Sequence, residues 1–284
     1  MNYFVKFFLI AIFIFITSCK NNDTEFSVIE EKDLDLQMID AYKEGLKLLD
    51  ENFPLIAAKK FSEAEILYPQ SMWAPRSSLM SAYSYYHGSY YLNAIDELNR
   101  FIKIYPKHER FVFARYLLAM CYYEQITDEK KDLGSIIEAQ QNFQYVLKNH
   151  PNTDYAIDSE YKLELIKEIL ASKEIYLANY YIEREKWIPA INRFKNVVEK
   201  YETTIYVEEA LHRLVEIHYK IGLIKESKKY AALLGYNYQS SDWYRESYKV
   251  FNKDYKKISK IKKNKKKNKI STLEKIKSLL RNEK

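Results

Sequence analysis

MIDAYKEGLKLLDENFPLIAAKKFSEAEILYP, residues 38–69, carries the spacing that decides the fold. Counting Met38 as position 1, a small residue stands at position 8 (Gly45), a second at 20 (Ala57) and a third at 27 (Ala64). A large apolar residue stands at 24 (Phe61) and a proline at 32 (Pro69). Two helices that cross closely need small side chains where they touch. The large residue fills the space between one crossing and the next. Proline lacks a backbone donor and clashes with the preceding turn, so it ends the second helix. The stretch reads as a pair of antiparallel helices.

The same spacing returns along the chain. Set on Pro106 it finds Ala82 at 8, Tyr85 at 11, Ala94 at 20 and Leu98 at 24. Set on Pro151 it finds Ala139 at 20 and Phe143 at 24, with Ala119 and Tyr122 in frame once residues 127–134 are taken as a loop insertion. A fourth copy has Ala178, Tyr181, Ala190, Phe194 and Val197, and a weaker fifth has Gly222 at 15 and Ser227 at 20. This is the frame of a tetratricopeptide repeat (TPR). The expected fold is all-α, a TPR solenoid of about five helix pairs in which each pair rests on its neighbours. The step from Ala139 to Ala190 is longer than the others, and an extra helix over residues 155–170, continuous with the first helix of copy four, accounts for it. Only five glycines occur in 284 residues, which suits long helices and not strands joined by tight turns.

The ends of the chain differ from this body. Residues 7–16 are an unbroken apolar run, ten residues where a bilayer span needs roughly 20. It reads as the core of a secretory signal. Ile16, Thr17, Ser18 and Cys19 follow, resembling the lipobox of bacterial lipoproteins. That resemblance implies cleavage before Cys19, a diacylglyceryl group on its sulfur and an acyl group on the new amine. Lys20 stands where enteric inner-membrane lipoproteins carry aspartate, so the implied destination is the outer membrane, facing the periplasm, with outer-membrane lipid as a partner. The expected organisation is a signal at 1–18, a lipidated tether at 19–33, a repeat domain at 34–251 and a Lys-rich tail at 252–284. Residues 253–284 hold 14 basic and three acidic residues, a local charge of +11 in a chain of +6, so all that precedes them sums to −5. The tail is expected to be largely disordered by self-repulsion. Nucleic acid is excluded as its partner by the secretory signal. Anionic headgroups or cell-wall carboxylates remain, beside a solvated extension with no specific role.

Twenty-seven tyrosines are a large excess. Tyr85, Tyr122 and Tyr181 occupy the packing position 11. Others stand at positions 2, 5, 9 and 12 of the first helices, which line the concave face of such an array: Tyr42, Leu46 and Leu49 in copy one, Arg76, Leu79, Tyr83 and Tyr86 in copy two, Phe113, Tyr116 and Tyr123 in copy three. Tyrosine and arginine offer large contact area, little rotamer entropy and a polar tip. These ten residues are the candidates for a groove that takes an extended peptide; a covering N-terminal segment is the alternative. No catalytic residue and no metal ligand set is found. A Gly-rich phosphate loop and a Gly-x-Ser-x-Gly elbow are both missing, Cys121 reads as a small core residue, and the five histidines lack metal spacing. No cofactor is expected beyond the lipid on Cys19.

Further stretches carry a family resemblance: YYEQI at 122–126, AINRF at 190–194 with VVEKY at 197–201, TT at 203–204, EALHRLVE at 209–216, LLGYNY at 233–238 and WY at 243–244. With them the chain, over roughly residues 36–251, resembles the BamD/ComL family, the TPR lipoproteins of the outer-membrane β-barrel assembly machinery, in its alphaproteobacterial branch. The resemblance implies a non-enzymatic scaffold. Its C-terminal repeats would hold the BamA-like barrel subunit, and its N-terminal groove would bind C-terminal segments of unfolded outer-membrane proteins. Glu209, His212 and Glu216 on the first helix of copy five are the contact candidates for the barrel subunit, Glu209 and Glu216 on its exposed face. The chain departs from the family pattern between Asp128 and Gly134 and in the length of its lysine tail. Two other readings stay open at this level: an envelope TPR lipoprotein that organises cell-wall enzymes, and a hydrolase with a helical body.

Overall fold

The computed structural model describes residues 33–126 and 133–251, all of whose regular elements are helices. The signal, Cys19, the tether up to residue 32, most of the insertion loop and the Lys-rich tail lie outside the described residues. Eleven helices occur among the described residues: α1 (Leu34–Asp50), α2 (Pro54–Leu67), α3 (Ala74–His87), α4 (Tyr91–Ile104), α5 (Phe111–Tyr123), α6 (Gly134–Asn149), α7 (Asp154–Glu183), α8 (Trp187–Lys200), α9 (Val207–Lys220), α10 (Ile224–Asn237) and α11 (Asp242–Val250). Each packs chiefly on the helix before and after it, and α11 folds back on α9.

The repeat frame is the packing. Ala57, Ala94, Ala139 and Ala190 at position 20 are fully buried, as are Phe61, Leu98, Phe143 and Phe194 at position 24. In copy five Ser227 takes the small position, and its hydroxyl is satisfied by donating to the Val215 carbonyl at 2.8 Å. Pro69, Pro106 and Pro151 each lie two residues past the ends of α2, α4 and α6. The extra helix is the first half of α7, which runs unbroken for 30 residues, about 45 Å. Thr153 caps it, accepting the Ala156 amide at 3.2 Å.

Position 15 shows a feature that only the glycine of copy five announces. Asn52, Ser89, Glu185 and Gly222 all stand there, and all four have positive φ (63°, 61°, 57° and 89°). Each closes the first helix of its pair with the same two hydrogen bonds. In copy one the Asn52 amide donates to Leu49 O (3.0 Å) and the Phe53 amide to Leu48 O (2.8 Å). The Ser89–Tyr86 with Tyr90–Tyr85, Glu185–Ile182 with Lys186–Tyr181, and Gly222–Tyr219 with Leu223–His218 pairs repeat it. This Schellman closure satisfies two orphan carbonyls and turns the chain into the second helix.

Copies one and two are also joined by a polar lock. Arg100 on α4 donates to both oxygens of the nearly buried Glu65 on α2 (2.8 and 2.5 Å), and the Tyr105 hydroxyl donates to the same carboxylate at 3.0 Å. Cys121 is fully buried, and burial pushes its thiol up to about 12, so it stays a protonated core residue.

Candidate functional site

The concave ends of α1, α3 and α5 enclose a cavity of about 430 Å³. Tyr42 comes from α1, Arg76, Leu79, Met80 and Tyr83 from α3, and Phe113 from α5; Trp73 and Arg110 enter from the residues just before α3 and α5. Helical period sets the α3 group, since residues three, four and seven apart share a face. The Tyr42 ring is fixed edge-on between the buried Phe61 (5.2 Å) and Trp73 (5.3 Å), and the Arg76 guanidinium lies over the Trp73 ring at 5.3 Å. None of the eight lining side chains is acidic. Among the described residues, Arg76 has no ion-pair partner and Arg110 meets only Glu109, at 4.0 Å with both side chains largely exposed. Burial raises the pKa of the Tyr42 phenol while Arg76 and Arg110 pull it back. Burial lowers the pKa of His108, Glu109 opposes this, and the same two arginines add to it. Both guanidinium fields therefore reach the cavity.

Five of the ten groove candidates meet here: Tyr42, Arg76, Leu79, Tyr83 and Phe113. The other five do not. Leu46 is exposed on α1 away from the cavity, and Leu49 is only half-buried beside it. Tyr86 packs on Tyr91 (5.9 Å) and bridges two core clusters, so burial pushes its phenol up to about 12. Tyr116 donates to Asp158 on α7 at 2.7 Å and lies against Tyr155 at 5.2 Å. Tyr123 packs on Phe143 (6.1 Å) beneath Lys162 of α7 (5.0 Å). The first half of α7 thus takes up two rings that the repeat frame assigns to the groove. Trp73, Met80 and Arg110 were missed because a count by helix position skips residues at or before the helix start and those off the four chosen positions.

The contact candidates of copy five need a correction. His212 is 3% exposed, its Nδ1 hydrogen-bonded to Ser247 Oγ of α11 at 2.8 Å and its ring against Trp243 at 5.1 Å, so it reaches no partner. Glu216 is not on an open face: it pairs with Arg213 at 2.8 Å and approaches His212 Nε2 at 3.5 Å. Burial works to raise the Glu216 pKa, but His212 and then Arg213 outweigh it and hold the carboxyl at about 2. Glu209 leans on Arg213 at 3.6 Å. His212 ties α9 to α11, and the two glutamates pair with Arg213 and His212 along α9 itself. Large apolar side chains exposed at this end include Ile205, Leu223, Ile224, Leu233, Tyr236 (84% exposed) and Tyr248 (70% exposed). No helix of the described residues is long and apolar enough to cross a membrane, and no group of three or more His, Cys, Asp or Glu among them could hold a metal.

A family model described as YfiO, outer membrane lipoprotein, matches residues 34–234. An outer membrane protein assembly factor BamD of Caulobacter vibrioides is 38% identical over 225 residues, 79% of this chain and 72% of that one. The protein of the same name from Rickettsia prowazekii is 39% identical over 209 residues, 74% of this chain and 83% of that one. Among solved structures, a thermophilic TPR protein of Thermus thermophilus aligns over 75% of this chain and 98% of that one, with 15% identity and a TM-score of 0.35.

Proposed function

The chain belongs to the YfiO/BamD family of outer-membrane lipoproteins, and from that membership we propose an outer membrane protein assembly factor with two separate binding faces. It is a component of the β-barrel assembly machinery and is associated with the outer membrane. Its work is that of a scaffold, with no chemistry done on the client. The N-terminal cavity takes the C-terminal segment of an unfolded outer-membrane protein, and the C-terminal repeats hold a BamA-like barrel subunit. Cys19, diacylated on sulfur and acylated on its amine, anchors the chain facing the periplasm. Intact mass of the membrane-extracted chain tests the anchor: a mature chain of unmodified mass removes it from the account.

The observation that carries the client site is the cavity across α1, α3 and α5. Four aromatic rings and two arginines converge there on a concave surface, the composition of a peptide-recognition hot spot. For the barrel subunit, the support is that the last two helices each expose large apolar side chains, Leu233 and Tyr236 on α10 and Tyr248 on α11. Photo-crosslinking amino acids at Tyr83 and at Tyr236 test both faces in cells. Tyr83 is expected to trap unfolded clients and Tyr236 the barrel subunit. Tyr83→Ala should weaken binding of a client C-terminal peptide by about 30-fold, the measure of a hot-spot aromatic, yet leave the barrel subunit bound. A reversed crosslinking pattern sinks the assignment.

A further inference from the structure

We infer that the end of the array where α1 begins is a lipid-contact edge: Leu36, Ile66 and Met72 enter the headgroup boundary of the bilayer, and Lys103, Lys107 and Lys148 meet its anionic headgroups. This rests on the reading of Cys19 as the anchor and adds how the folded body meets the membrane. Three features carry it. The first is an apolar tip. Consecutive helices run antiparallel, so α1 begins where α2 ends, and Met38, Ala64, Leu67 and Trp73 share one core cluster there. Around that cluster Leu34, Leu36, Ile66 and Met72 are all exposed, the last two at 74% each. Large apolar side chains crowded at one spot mark a contact surface, whereas scattered ones need no explanation.

The second is charge. The position of Ile66 in copy one is taken by Lys103 in copy two and Lys148 in copy three, and the loop that carries Met72 corresponds to the one that carries Lys107. All three lysines are exposed, and none has an ion-pair partner among the described residues. The acids at this edge are Asp33, Asp35 and Asp154, at the starts of α1 and α7 where the helix dipole favours them, and Glu109, which meets Arg110. The opposite loops, 51–53, 88–90 and 124–126, also expose apolar residues such as Phe53, but they bring Glu51 and Glu124 and no base. An apolar tip with lysines around it has the composition of an interfacial contact with an anionic lipid surface. The third is the tether. Residues 20–32 alone separate Cys19 from Asp33, a reach of at most about 50 Å, and they enter the body at the tip itself. A lipid on Cys19 holds this end against the bilayer before any other part of the solenoid, and a surface tethered in this way needs little affinity of its own.

The test uses the full lipoprotein reconstituted into vesicles of phosphatidylethanolamine with phosphatidylglycerol, part of the lipid carrying a nitroxide near the headgroup. A fluorophore is placed on Ile66→Cys, on Met72→Cys and, at the opposite end, on Leu92→Cys. With Cys19 acylated and Cys121 buried, the new thiol alone reacts. The labels at Ile66 and Met72 should lose emission to the nitroxide and shift to the blue, and the label at Leu92 should do neither. Leu34→Ser with Leu36→Ser and Ile66→Ser should leave the thermal melt unchanged, because all three side chains are exposed, and abolish the quenching at Met72→Cys. Vesicles without phosphatidylglycerol should weaken the quenching, and Lys103→Gln with Lys107→Gln and Lys148→Gln should remove that dependence. Vesicle-bound protein with no quenching at Ile66 and Met72 overturns the edge, leaves the anchor standing and gives the patch to a protein partner. Equal quenching at Leu92 overturns it too, since neither end is then preferred. A chain that stays in solution removes the anchor and the edge together.

Discussion

Gly45→Ala sets two effects of known size against each other. Gly45 lies inside α1, where alanine is favoured over glycine by about 1 kcal/mol. Taken alone, this makes the substitution stabilising. The position, however, is the contact between α1 and α2. A Cβ built there meets Phe61 Cδ1 and Cε1 at 2.9 Å and Cζ at 3.0 Å. Phe61 is fully buried and held by Tyr42 at 5.2 Å, so the ring has no open space to retreat into. Overpacking a filled core costs about 1–3 kcal/mol. The clash wins, and net destabilisation is expected on the order of 1 kcal/mol. For a domain of this size that lowers the melting temperature by about 2–4 °C. The displaced ring pushes Tyr42, which lines the cavity, so client-peptide affinity should fall as well. Circular dichroism melts and peptide anisotropy on wild type, Gly45→Ala, Phe61→Leu and the double variant check this. Phe61→Leu should destabilise the wild type but partly rescue Gly45→Ala, a coupling that two independent sites would not show. If Gly45→Ala melts higher than the wild type, the helix contact at position 8 is misplaced and the reasoning fails.

Two further outcomes follow from local geometry. Glu185→Gly should raise stability by about 1 kcal/mol and Gly222→Glu should lower it by a similar amount, because both stand in the left-handed region that penalises a Cβ; urea melts of the two variants are the check. Glu216 has a folded pKa near 2, below its usual 4.5, so its contribution is whole above pH 4.5 and is lost as pH falls toward 2. No more than about 3 kcal/mol is at stake, less what solvent screening removes from a partly exposed carboxylate, and Glu216→Gln should flatten the acid limb of stability over that window, whereas an unchanged limb would mean that the Glu216 contacts with His212 and Arg213 are open in solution.

What the chain states by itself is whatever is local. Positions 8, 20, 24 and 32 are legible because a helix crossing imposes the same steric demand in every copy, and a demand repeated at fixed spacing shows as a period. The resemblance of residues 16–19 to a lipobox and the charge of the tail are legible for the same reason: a few adjacent residues carry them. The groove was half legible. Five of its residues follow from their position on a first helix, since the inner face of a solenoid is set by helical period alone. The rest depends on partners far along the chain. Tyr116 and Tyr123 have the right period, but α7 lies over them through Tyr155, Asp158 and Lys162, more than 30 residues away. Glu209, His212 and Glu216 share a helix face that would be open in a regular terminal repeat. It is closed because α11, outside the repeat frame, returns to place Trp243 and Ser247 against it. Trp73 and Arg110 lie at or before the first residues of their helices, where periodicity carries no direction, and only the stacking of one pair on the next turns them inward. Period fixes which face a side chain occupies; which faces remain open to a partner is decided by the helices that pack across them.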